Sequence, residues 1–81
     1  MKGIVCGISS NKVFYAVRTD LGYTVFEVRH GDISLGDEIF GDLDSHGDAN
    51  LRNHSQGNVI EAYVQAIQAT KQAAERLLQS Q

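Results

Sequence analysis

The chain predicts a small, mainly β (α+β) fold: a five-stranded antiparallel barrel over about residues 2–65 and a C-terminal helix over about 67–79, in a single domain of residues 1–81. Three observations predict it. Residues 12–29 read KVFYAVR-TDLG-YTVFEVR, two alternating runs about a turn. Other short β-branched runs are divided by glycine-rich turns. From Ala66 onward the chain is rich in Ala, Gln and Leu, which favour helix.

The first element, KGIVCGI at residues 2–8, alternates as a strand. Ile4, Cys6 and Ile8 share one face, with Gly3, Val5 and Gly7 outward, where another backbone could come close. Ser9, Ser10 and Asn11 form a turn. The hairpin follows. With Thr19 to Gly22 as its turn, Arg18 pairs with Tyr23, Val17 with Thr24, Ala16 with Val25, Tyr15 with Phe26, Phe14 with Glu27, Val13 with Val28 and Lys12 with Arg29. One face then holds Val13, Tyr15, Val17, Thr24, Phe26 and Val28, which is a core. The other holds Lys12, Phe14, Ala16, Arg18, Tyr23, Val25, Glu27 and Arg29, a surface with aromatic rings among cations.

His30 to Gly36 is a connection whose Ile33 and Leu35 are expected to tuck inward. Asp37 to Leu43 reads as a fourth strand with Ile39 and Leu43 on the core side. Residues 44–57 are polar and turn-rich and read as the longest mobile loop, pegged by Leu51. Val59 to Gln65 is rich in β-branched and aromatic residues and reads as a fifth strand over about 58–65. The alternative is one long helix from Val59, with Asn58 and Glu61 as a capping box. The helical stripe Ile67, Ala74, Leu77 and Leu78 is expected to plug one end of the sheet, or to meet a second copy of the chain.

Composition narrows the function. The hydrophobic content of 42% is enough for one small core, and 21% charge without Pro does not indicate disorder. Cys6 has no second cysteine to pair with and reads as a buried free thiol. No apolar run approaches the ~20 residues of a membrane span, and the first residues do not form a charged-then-apolar leader. A reducing, cytoplasmic setting is expected. The net charge of −3 opposes bulk nucleic-acid affinity. Its distribution is uneven: residues 1–31 carry four Lys or Arg against two acids, residues 32–81 three against eight.

The runs Lys12-Val13-Phe14-Tyr15-Ala16-Val17 and Val25-Phe26-Glu27-Val28 resemble the central hairpin of cold-shock and related OB-fold domains, and Gly36-Asp37 resembles the pair that opens a later strand in S1-like domains. The resemblance covers roughly residues 2–43 and implies an OB barrel that binds single-stranded nucleic acid by stacking bases on exposed aromatics. The chain departs from that pattern: the motif glycines are absent, Phe14 and Tyr15 are adjacent, Glu27 enters the binding face, and His30 is displaced. On physical grounds Phe14 and Tyr23 could each stack a base, worth ~1–3 kcal/mol, while Lys12, Arg18 and Arg29 neutralise phosphates.

Catalytic and metal chemistry find little footing. Asp42, Asp44 and Gly47 match part of a calcium loop, but His46 is a poor ligand for a hard cation and Asn53 stands where the bidentate Glu would complete the site. His30, His46 and His54 lack metal-type spacing. His46 near Asp44 and Asp48 has no recognisable nucleophile beside it. The Asn53-His54-Ser55 triplet lacks a secretion signal to make it an acceptor. The expectation is a non-catalytic OB-like interaction module with no cofactor, metal or membrane partner, binding another protein or its own copy. The alternative is single-stranded RNA or DNA binding through Lys12, Phe14, Arg18, Tyr23 and Arg29.

Overall fold

The computed structural model describes residues 1–79 as six strands and one helix. They are β1 (Lys2–Ile8), β2 (Phe14–Thr19), β3 (Gly22–His30), β4 (Glu38–Phe40), β5 (Gly47–Asn53), β6 (Asn58–Ala69) and α1 (Lys71–Gln79). Two three-stranded meanders, β1-β2-β3 and β4-β5-β6, join through β3–β6 and β1–β4 into a closed, wholly antiparallel barrel. Closure gives every described strand a neighbour on both sides, although the short β4 covers only Arg52 and Asn53 of β5. The fold is the mainly β barrel with one C-terminal helix that the patterning predicts, with six strands in place of five.

The hairpin has the expected register from Phe14↔Glu27 to Arg18↔Tyr23, and the Val28 amide donates to the Val13 carbonyl at 2.8 Å. Thr19 fixes the turn: its Oγ1 accepts from the Leu21 amide at 3.1 Å and donates to the Gly22 carbonyl at 2.9 Å. The inner face fills the barrel. Val17, Phe26, Ile39, Leu51 and Ile60 are fully buried, and the Thr24 hydroxyl is satisfied by the Leu43 carbonyl at 2.7 Å.

Three expectations on strands are corrected. First, β1 is turned over: Gly3 and Val5 face inward and Cys6 is exposed. A bulge at Cys6 sets two residues against one on β2, so the alternation slips and Ile8 regains the core side. Second, the supposed loop 44–57 contains β5. Its Leu51 and Asn53 point inward, and it pairs with β6 from Gly47↔Val64 to Asn53↔Asn58. The strand lacks β-branched residues, so pairing rather than propensity holds it. Third, β6 runs to Ala69. Tyr23↔Ala69 and Val25↔Ala66 pairing overrides the helix propensity of residues 66–69, and Ile67 joins the barrel core rather than a helical stripe. Asn58 and Glu61 therefore lie on a strand and cap nothing. Ile33 packs on the core as expected, whereas Leu35 is 63% exposed.

The chain leaves β6 through Gln68 at φ 50° and enters α1 at Thr70, whose Oγ1 accepts from the Ala73 amide at 3.1 Å as an N-cap. The helix does not plug the barrel end. It lies outside, against β1, β2, β3 and β6, where Ala74 joins Ala16 and Val25 in a second small core flanked by Tyr23, Ala66, Leu77 and Leu78.

One glycine is fixed twice over. Gly31 has φ +116°, and a Cβ there would lie 2.5 Å from Ile60 Cδ1 and 2.8 Å from the Val59 carbonyl oxygen. Gly31→Ala is expected to cost about 1–3 kcal/mol, read as a lowered urea midpoint; an unchanged midpoint would remove this constraint.

Candidate functional site

The docking of α1 divides the outer face of the hairpin. Ala16 and Val25, at its centre, are buried beneath the helix. The five candidate residues consequently do not form one surface. Lys12 is exposed in the β1–β2 turn with φ 60°, its amide donating to the Ser9 carbonyl. Phe14 is half-buried opposite Glu27. Arg29 is engaged elsewhere, 3.4 Å from Asp48 and with its guanidinium 5.1 Å from the centre of the Tyr63 ring. Only Arg18 and Tyr23, a cross-strand pair, are brought to a common site.

That site is an open groove of about 270 Å³ between α1 and the β1-β2-β3 sheet. Gly7, Ala16, Ala74 and Leu78 make its apolar floor, and Cys6, Arg18, Tyr23, Lys71 and Glu75 stand around it. The floor follows from small residues: a Cβ on Gly7 would come 2.6 Å from Leu78 Cδ1, so only glycine lets the helix settle there without displacing that leucine. Lys71, Ala74, Glu75 and Leu78 recur at i, i+3, i+4 and i+7, one face of α1.

The bulge that exposes Cys6 also turns its thiol toward this groove, with Sγ 3.5 Å from the Ala16 carbonyl oxygen. Partial burial pushes the thiol above its ordinary value, opposed by the positive charges of Arg18 and Lys71. Neither cation has an ion-pair partner among the described residues, where the pairs are Lys2–Glu38 and Arg29–Asp48. Cys6, Lys71 and Glu75 were not among the sequence candidates. The helical spacing of Lys71 and Glu75 with Ala74 and Leu78 was the available signal for two of them; nothing local announced the bulge.

Other polar and aromatic clusters are self-contained. Phe40 and His54 stack on each other with centroids 3.9 Å apart and planes at 18°. Asp37 is buried and receives hydrogen bonds from the Ser34 amide, Asn53 and Gln56. Among the described residues no group of three His, Cys, Asp or Glu side chains is placed to hold a metal ion. No described helix is long and apolar enough to cross a membrane.

Fold and site together define a small closed β-barrel with a helix packed on its outer wall and a cationic groove beside it. Compared with known proteins, the chain matches no protein-family model, no curated protein and no solved structure.

Proposed function

We propose that this chain is a small non-catalytic interaction module, OB-like in architecture, that holds another protein in the groove beside α1. The groove is the observation that carries the reading: an apolar floor between two elements, rimmed by Arg18, Lys71 and Tyr23. Its volume of about 270 Å³ falls below the ~300–1,000 Å³ of pockets that enclose a drug-sized ligand. It suits one side chain offered by a partner. The helical stripe Ala74, Leu77 and Leu78 packs largely on the chain's own barrel, which leaves less of it to meet a second copy while α1 is docked.

Single-stranded nucleic acid has less support. Tyr23 packs against the helix cluster, Phe14 is half-buried, and Arg29 is paired with Asp48. Of the candidate cations this leaves Lys12 and Arg18, too few for a strong counterion-release contribution.

Peptides selected from a random library against the immobilised chain test the reading. They are expected to lose about tenfold in affinity with Tyr23→Ala, in a variant whose circular dichroism confirms folding. An empty selection, or affinities indifferent to Tyr23→Ala and Arg18→Ala, overturns it. Binding of labelled oligothymidylate at low salt that disappears in Phe14→Ala would favour nucleic acid instead.

A further inference from the structure

We infer that the groove beside α1 recognises an acidic segment of its partner, seating one apolar side chain on the floor and carboxylates against Arg18 and Lys71. This rests on the interaction-module reading and specifies its ligand.

Charge is the first ground. Arg18 comes from β2 and Lys71 from α1, and the fold brings them to one groove. Both are exposed, and neither is neutralised by a carboxylate among the described residues. Glu75 is the one acid in the lining, so cations outnumber acids there. The chain as a whole is −3. An acidic segment is thus disfavoured by the protein at large and favoured locally, an arrangement that fixes where and in what register it docks.

Shape is the second ground. Ala16 and Ala74 are buried and Gly7 has no side chain, so the floor is shallow and apolar. Two exposed cations alone hold a free anion weakly, because each such pair contributes ~0–1 kcal/mol in water. An apolar anchor adds the burial that a free anion lacks. The combination selects a peptide with a hydrophobic residue between acids over an inorganic ion.

Cys6 supplies a reporter built into the site, since its thiol borders the groove and is the only thiol in the chain. Alkylation of Cys6 can be followed by mass in the full-length protein with three blocked-end peptides: Leu flanked on each side by two Asp, by two Asn, or by two Lys. The Asp peptide is expected to slow alkylation by neutral iodoacetamide about fivefold at a concentration of about four times its Kd, and the Asn and Lys peptides at the same concentration much less. The double variant Arg18→Gln, Lys71→Gln is expected to abolish the protection. Without peptide, it should lower the ratio of the iodoacetate rate to the iodoacetamide rate, a ratio that cancels any change in thiolate fraction. Equal protection by the Asp and Asn peptides overturns the acidic preference and leaves the interaction-module reading standing. Protection by none of the three overturns both. An unchanged rate ratio in the double variant overturns the part given to Arg18 and Lys71.

Discussion

Asp37→Ala is expected to destabilise the barrel by about 1–3 kcal/mol, because it leaves the buried Asn53 amide without one of its acceptors and removes the bonds from Ser34 and Gln56. Asp37 Oδ2 receives the Ser34 amide at 2.8 Å, Asn53 Nδ2 at 2.8 Å and Gln56 Nε2 at 2.6 Å. Asn53, almost wholly buried, also donates to the Asp32 carbonyl at 3.0 Å and accepts from the Ser55 and Gln56 amides. One carboxylate thereby ties the β3–β4 connection to the β5–β6 turn. Asn53 points into the barrel where an apolar residue would ordinarily sit, and this network is what satisfies it.

The same network sets a pH dependence. Burial pushes the Asp37 carboxyl up, but the hydrogen bonds from Asn53, the Ser34 amide and Gln56 outweigh it and hold the group below its ordinary value. The unfolded chain therefore binds the proton more readily than the folded one, and stability rises with pH across this window. The contribution is complete above the unfolded value of about 3.9 and is lost as pH falls through the lower folded value. Urea midpoints taken from about pH 5 downward should fall more steeply for the wild type than for Asp37→Asn, which has no charge to lose. Parallel acid profiles would show that Asp37 is not the group responsible.

How much of this was legible depended on how local its cause was. The hairpin register was legible because Thr19 to Gly22 fix the turn and alternation does the rest. The facing of β1 was not, since a single extra residue at Cys6 inverts everything before it, and no residue type there announces a bulge. β5 was hidden because Leu51 is its only large apolar side chain and its inward neighbours are Gly47, Ala49 and Asn53. The end of β6 was hidden for the converse reason: Ala66 to Ala69 prefer helix, and only β3 beside them keeps them extended. The site followed the same division. Arg18 and Tyr23 were visible as an outward cross-strand pair. Their convergence with Cys6 and Lys71 required both the bulge and the docking of α1, two long-range events.

The separation of the two cores leads to the other large effect. Phe26 is fully buried at the barrel centre, its ring 6.3 Å from that of Tyr15. Phe26→Ala should cost about 3–5 kcal/mol through lost burial and the cavity left behind, a large share of the ~5–15 kcal/mol that stabilises a typical domain. Ala74 is equally inaccessible at 2% exposed, yet it belongs to the cluster outside the barrel with Ala16 and Val25. Ala74→Glu forces a carboxylate between those side chains and should release α1 while the barrel stays closed. A nine-residue helix freed from its sheet is too short to persist, since isolated helices under ~12–15 residues are marginal in water. The two variants should accordingly separate. Phe26→Ala lowers the whole urea transition, whereas Ala74→Glu loses helical circular dichroism and accelerates iodoacetamide alkylation of Cys6 with a smaller change in the barrel transition. Equal collapse of both transitions would mean that α1 and the barrel form one cooperative core.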